Sequence, residues 1–365
     1  MDAVLQFPLA PMEALPVDTI PTGDGWQYEP KWDGFRCLLI HDGDKVELQS
    51  KAGKSLTRYF PEIVAAANRL PACVLDGELA ISDGRNLSFD ALLQRIHPAA
   101  SRVKRLSLET PAMLIVFDLL RDDDGAPLLE QSLRERRAAL EKFAGRVFPN
   151  GGLIRLSPAT TALPVAKAWL KQAGPALDGI IAKRLDLPYR PGERTAMQKV
   201  KNYRTADCVV GGFRFNEGKD VVGSLLLGLY NEEGKLDHVG FTSTIKESEK
   251  QALTTKLLAL VSPPGFTGEA PGGPSRWSPK RSAEWQPLKP KLVVEVCYDH
   301  WSGGRFRHGT RLLRWRPDKS PRQCTREQVE QTAGHLLELL GPAPKQFFQK
   351  RATKRAARAG RREST

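Results

Sequence analysis

The sequence predicts an α+β domain over residues 1–204, a small β-barrel domain over 205–344 and a basic tail over 345–365. Three observations lead there. A chain of 365 residues corresponds to about two domains at roughly 150 residues each. Helical and strand periodicities alternate as far as Arg204 and then give way to short strands separated by turns. Lys345–Thr365 holds eight basic residues, one acidic residue and almost no large apolar group after Phe348, a composition that cannot bury a core.

In the first domain, strands are expected at Cys37–Ile40, Lys45–Gln49, Val74–Ile81, Ala112–Leu119 and Gly179–Arg184. Thr57–Leu70, Ser88–Ile96, Leu133–Phe143 and Thr161–Ala173 space their apolar residues as helices do, and Ser88 is placed as an N-cap. In the second domain, Cys208–Phe215, Gly223–Tyr230, Leu236–Ser243, Leu292–Tyr298 and Arg311–Trp315 read as strands, with a hairpin turn at Asn231-Glu232-Glu233-Gly234. A helix over Lys246–Val261 precedes a loop, Ser262–Pro279, in which nine of eighteen residues are Gly or Pro. A last helix is expected over Arg326–Leu340, opening at Thr325 with Gln328 set for a capping box.

Composition narrows the function classes. Lys and Arg total 55 against 42 Asp and Glu, a formal charge of +13, which makes a polyanion the leading partner. Apolar residues at 41% exclude a largely disordered chain. Cys37, Cys73, Cys208, Cys297 and Cys324 stand far apart with no C-x-x-C pair; this argues against a zinc knuckle or a disulfide framework and for reduced thiols in a cytoplasmic protein. The longest apolar stretch, Val221–Tyr230, is half a membrane span, and the N-terminus lacks a basic signal region, so no membrane partner is expected.

The chemistry begins at Glu29-Pro30-Lys31-Trp32-Asp33-Gly34-Phe35-Arg36. Pro30 and Asp33-Gly34 mark a turn, where a lysine is ordinarily a solvated charge. K-x-D-G alone should occur by chance in about one chain in ten of this length. Five further segments follow in order. They are Asp76-Gly77-Glu78, Val116-Phe117-Asp118-Leu119, Asp178-Gly179-Ile180-Ile181-Ala182-Lys183, Lys199-Val200-Lys201 and Arg311-Leu312-Leu313-Arg314-Trp315-Arg316-Pro317-Asp318-Lys319. Alternation puts Lys199 and Lys201 on one side of a strand, a wasteful placement unless they face phosphate.

This ordered set resembles the covalent nucleotidyltransferases, in particular ATP-dependent DNA ligases, over about Gln27–Cys324. The Tyr298–Gly309 stretch is similar to the compact two-domain bacterial C-type group, whose members are accessory repair enzymes. The resemblance implies a nucleotidyltransferase (ATP-grasp-like ligase) domain followed by an OB-fold barrel. It makes Lys31 the residue that takes AMP. Glu29, Asp33, Arg36, Lys51, Glu78, Lys183, Lys199 and Lys201 become nucleotide contacts, and Phe117 the aromatic stacked on adenine. Arg311, Arg316, Asp318 and Lys319 become the group that orients pyrophosphate, and Glu78 and Asp178 the ligands of Mg²⁺ or Mn²⁺. The short leader before Lys31 leaves no room for a nicotinamide-recognition module, so ATP is the expected donor. Nicked double-stranded DNA is the expected partner, bound by a monomer, with end-joining or repair factors as further partners.

The residue types suit the chemistry. A lysine ammonium has no lone pair, so the site must lower the pKa of Lys31 by burial or by neighbouring cations. Phosphoryl-type transfer gains from positioning and charge neutralisation. A protein that serves ATP and then a nick at one lysine must also move, and a hinge near Lys201–Asp207 fits the change in sequence character.

Three departures from the family pattern stand out. Ser50-Lys51-Ala52-Gly53 carries lysine where arginine is usual, and lysine lacks the planar fork. Asp178 stands where glutamate is usual, and Met197 replaces a tryptophan. Lys31-x-Asp33-Gly34 is also shared by RNA ligases and GTP-dependent capping enzymes, and an inert DNA-binding protein built on a barrel is a third reading.

Overall fold

A computed structural model describes residues 6–84, 86–148, 152–272, 284–330 and 336–340. The chain divides into two compact units, Met1–Asn202 with Ala333–Thr365, and Tyr203–Thr332. The first contains, in order, β1 (Leu15–Pro16), β2 (Trp26–Pro30), β3 (Phe35–His41), β4 (Val46–Ser50), α1 (Pro61–Ala67), β5 (Cys73–Ile81), α2 (Phe89–Arg95) and α3 (Ala100–Glu109). It continues with β6 (Ala112–Arg121), α4 (Leu133–Val147), β7 (Ile154–Leu156), α5 (Leu163–Ala173), β8 (Gly179–Arg184) and β9 (Met197–Lys201).

These strands make two sheets, β4-β3-β5-β6-β7 and β1-β9-β8-β2. On the larger sheet, Leu39, Leu75, Leu79, Leu114 and Val116 pack with Phe60 and Ile63 of the α1 region and Leu140 and Phe143 of α4. Residues of the opposite parity, such as Ala80 and Ile115, pack with Tyr28, Ile180 and Ala182 of the smaller sheet and Trp169 of α5. Burial on both faces explains why β6 reads as a continuous apolar run rather than an alternating one. Arg36 and Glu78, paired across β3 and β5, share the parity of Ala80, so the strand period aims them at the smaller sheet, while Phe117 stands at the register shift between Asp76 and Gly77.

Departures from the sequence reading have local causes. The helix expected at Thr57–Leu70 splits into a 3₁₀ turn, Thr57–Tyr59, and α1, because Pro61 offers no N–H and keeps Phe60 out of helical geometry (φ −131°, ψ 58°). Ser88 does cap α2, accepting from Ala91 N–H at 3.3 Å. Helix α3 is new; its N-cap is Ala99, with no side-chain cap, and Leu108 on it is 77% exposed, so neither capping nor a full apolar stripe announces it.

The second unit contains β10 (Arg204–Phe215), β11 (Val222–Tyr230), β12 (Leu236–Thr242), α6 (Glu247–Leu258), β13 (Gln286–Pro287), β14 (Val293–Tyr298), β15 (Trp301–Ser302), β16 (Arg305–Phe306) and β17 (Arg311–Trp315). Its main sheet runs β12-β11-β10-β14-β17, with β13 on β10. The first half of β10 pairs with β14 and the second half with β11, with register shifts between Val210 and Gly212 and between Arg214 and Phe215. A closed barrel was expected; among the described residues the sheet is open. Its edges meet at a single bridge between Thr242 and Thr310, supported by Thr242 Oγ1 donating to Thr310 O at 2.9 Å.

The C-terminal helix also departs from expectation. The described residues there form two 3₁₀ segments, Arg326–Gln328 and Leu336–Leu340, and Thr325 makes no side-chain cap. Gln328 turns to the backbone of Asp207 instead, accepting from its N–H and donating to its C=O, both at 2.9 Å. Leu336 is buried with Tyr28, Trp32 and Trp169, and Arg155 donates to Leu340 O at 3.0 Å. Leu336–Leu340 thus packs with the first unit. The tail over 345–365 lies outside the described residues. No described helix is long and apolar enough to cross a membrane, and all five cysteines are free and buried.

One buried ion pair anchors the strand that presents Phe117. Arg136 of α4 grips Asp118 with two bonds of 2.9 and 3.0 Å, and both side chains are at most 2% exposed. Removing one partner strands a buried charge, so Arg136→Met should cost about 3–5 kcal/mol. Urea unfolding of the two proteins measures it, and a loss under 1 kcal/mol would contradict this role for the pair.

Candidate active site

Lys31 lies in the four-residue connection between β2 and β3, and backbone contacts fix its place. Its N–H donates to Gly179 O at 2.9 Å, at the start of β8. Two motif glycines allow this closeness. A Cβ on Gly34 would sit 2.1 Å from Leu79 O, and one on Gly179 (φ +151°) would sit 2.0 Å from Val200 O. Strand approach, not turn flexibility, is therefore what requires glycine after Asp33. Trp32 is locked by its indole N–H, which donates to Ser157 Oγ at 2.9 Å.

Around Lys31 lies a cavity of about 160 Å³ lined by Glu29, Arg36, Lys51, Glu78, Phe117, Lys183, Met197 and Lys199 among others. The smaller sheet supplies Glu29, Lys183 and Lys199, and the larger sheet Arg36, Glu78 and Phe117. Four of the five lining cations carry a carboxylate partner. Lys31 Nζ contacts Asp178; Lys183 lies 2.8 Å from Glu29; Lys51 lies 2.9 Å from Glu13. Arg36 is held by Asp76 through two bonds of 2.6 Å. Lys199 has no ion-pair partner among the described residues, and burial, then Lys31 and Lys201, push its pKa down.

The expected residues divide by location. Glu29, Lys31, Arg36, Lys51, Glu78, Phe117, Lys183 and Lys199 converge on the cavity, whereas Asp33, Asp178 and Lys201 do not line it. Asp178 still reaches Lys31, and Lys201 acts on Lys199 through its charge. Phe117 is only 7% exposed, and Arg36 and Lys183 each lie 4.5 Å from its ring centroid. Met197, in place of the usual tryptophan, is buried beside Met12 and Tyr189.

The Arg311–Lys319 segment belongs to the second unit. Its Arg311 is exposed, while Arg316 is held by Asp207 and Asp318 and Lys319 by Asp207.

Sequence reasoning missed the support of Arg36. Tyr189 O–H donates to Asp76 at 2.7 Å and accepts from Met12 N–H at 2.9 Å, while Arg36 also donates to Met12 O at 3.3 Å. These partners lie up to 177 residues apart, so no local pattern could pair them. Gln27, which donates to Glu29 at 2.8 Å, was within reach of the alternation on β2.

The donor set fits a nucleotide with its metal. Cations line one cavity as phosphate requires, and Glu78 and Asp178 both bear on Lys31 with the hard oxygens that Mg²⁺ or Mn²⁺ takes. Desolvation pushes the Glu78 carboxyl up to about 8, against the pull of Arg36 and Lys31. Because its folded pKa lies above the unfolded value, folding holds this proton, and the associated stability is lost as pH rises from about 4.5 to about 8. Glu78→Gln should therefore gain thermal stability relative to the wild type across that window in chelator-treated, nucleotide-free protein. A pH-independent difference in melting temperature would contradict the raised carboxyl.

Comparison with known proteins identifies the family. Residues 11–201 match the family model for the ATP dependent DNA ligase domain, and residues 218–319 match that for the ATP dependent DNA ligase C terminal region. DNA ligase C2 of Mycolicibacterium smegmatis is 46% identical over 352 residues, covering 90% of this chain and 96% of that one. DNA ligase C of Mycobacterium tuberculosis is 44% identical over 344 residues, covering 88% and 94%. A solved structure from work on Lig E DNA ligases shares the fold at 17% identity, with a TM-score of 0.52 over 84% of this chain and all of that one. Taken with the ordered motifs around Lys31, these matches make the chain a member of the ATP-dependent DNA ligase family.

Proposed function

We propose that Lys31 is the nucleophile of a three-step DNA nick-sealing reaction, a reading carried by its position at the cationic cavity in contact with Asp178. Lys31 must leave Asp178 and lose its proton before its lone pair can attack. Attack on the α-phosphorus of ATP forms a P–N bond as the bond to the β-phosphate breaks, giving lysyl-AMP and pyrophosphate. The 5′-phosphate of a nick then takes AMP, and Lys31 regains its amine. Finally the 3′-hydroxyl attacks that 5′-phosphorus and AMP departs.

Lys183, Lys199 and Arg36 hold the phosphates and ribose, Phe117 the base, and Lys51, though 58% exposed, the outer edge. Glu78 and Asp178 would hold the divalent metal, which would neutralise phosphate charge when bound. Arg311, Arg316, Asp318 and Lys319 orient the pyrophosphate. We read the open second sheet as an OB-type fold, supported by the way β10 divides its pairing between β14 and β11. The protein acts as a cytoplasmic monomer on nicked duplex DNA.

Incubation with Mg²⁺ and α-labelled ATP should give a stable protein adduct in the wild type and none in Lys31→Ala. Lys31→Ala should also seal nicks at least about 10³-fold more slowly, as expected when a covalent nucleophile is lost. Label on the variant would refute the assignment.

The tail's charge of +7, from eight basic and one acidic residue, supports a role in phosphate binding. Deleting residues 345–365 should weaken DNA binding and flatten its salt dependence while self-adenylation continues. An unchanged slope of log affinity against log salt would contradict that role.

A further inference from the structure

Asp207 is absorbed by none of the motifs, yet it sits where the motif cations of the second unit meet. It lies in the first half of β10, opposite Glu295 of β14, and its carboxylate is 12% exposed. Arg316 Nη1 donates to its Oδ1 and Oδ2 at 2.9 and 3.1 Å, and Lys319 Nζ lies 2.9 Å from Oδ2. The remaining donors of the Arg316 fork, Nε and Nη2, are taken by Asp318. Both cations are therefore engaged before any phosphate arrives.

The two acidic partners differ in how firmly they are held. Asp318 shares the turn of Arg316, is 63% exposed and can move with it. Asp207 is fixed on a central strand, and Gln328 binds both its N–H and its C=O. It is the stationary member.

We infer that Asp207 is a positioning residue that occupies Arg316 and Lys319 as a stand-in for phosphate, so that the pyrophosphate end of ATP must take these cations from it. The inference rests on the ligase reading above. A single carboxylate offers two oxygens to two cations, whereas a diphosphate offers more oxygens and more negative charge, so the exchange runs towards ATP when it is bound and returns when pyrophosphate leaves. The consequence is selective. Asp207 opposes the ATP-dependent step and does not oppose the sealing of a nick already carrying AMP, which consumes no ATP.

Asp207→Asn keeps the shape and removes the charge. In single-turnover self-adenylation with α-labelled ATP, its half-saturating ATP concentration should fall about three- to tenfold, the equivalent of one partly exposed charge pair, with a smaller change in maximal rate. Asp207→Glu should restore the wild-type dependence, and sealing of a pre-adenylated nick by Asp207→Asn should not improve. A half-saturation that stays level or rises, or an equal gain in both steps, overturns the inference; a merely structural role would lower the melting temperature and slow both steps alike. Should Asp207→Asn not fold, Gln328→Ala, which leaves the carboxylate but frees its backbone, must still lower the half-saturating ATP, and no change there overturns the inference too. Wild-type protein that takes no label refutes the ligase reading itself, a result distinct from a labelled wild type whose Asp207→Asn variant behaves identically.

Discussion

Five cations face one cavity of about 160 Å³, and their mutual repulsion is the constraint around which the first unit is organised. Like charges this close destabilise a fold unless each is compensated. Four meet a carboxylate supplied by a different part of the chain: Asp178 before β8, Asp76 on β5, Glu29 on β2 and Glu13 in the N-terminal segment. The fold thus concentrates positive charge and compensates all of it but that of Lys199 among the described residues. On the proposed reading, a polyphosphate entering the cavity would exchange partners with groups already aligned, which would lower the reorganisation needed at the moment of reaction.

The same economy appears in the second unit, where Asp207 and Asp318 hold Arg316 and Lys319. Hydrogen bonding to Arg316 brings the Asp318 carboxyl down to about 2, so it stays ionised through any neutral buffer. The two units solve one problem in different ways. In the first, burial and strand position fix the Arg36–Asp76 and Lys183–Glu29 pairs; in the second, an exposed turn lies against a single fixed carboxylate.

Legibility in the sequence followed the range of the interaction. Gly179–Arg184 and Arg311–Trp315 are strands with the bounds the pattern implies, because alternation and flanking turn formers are local. Convergence of Lys31, Glu78 and Lys183 on one cavity could be expected from motif order. The Asp76–Tyr189–Met12 support for Arg36 could not, since it joins residues far apart in the chain through side chains of ordinary type. Gln328 shows the opposite failure. Its spacing from Thr325 suits a capping box, but the backbone of Asp207 competes for the same amide.

The wall of the cavity formed by Pro11–Ala14 is tied down largely by late residues, with Arg36 on Met12 O and Lys51 on Glu13 as its early partners. Ala10 O accepts from Gly192, Glu13 N–H donates to Glu193 O, Met12 N–H donates to Tyr189, and Leu15 pairs with Gln198. A chain made from its N-terminus therefore carries this segment without most of its native partners until nearly two hundred residues exist. Closing so long a loop is slow relative to forming the local hairpins of β3, β4 and β5. An early segment is thus among the last to be fully seated, and the cavity around Lys31 reaches its final shape only when the strands of the first unit are complete.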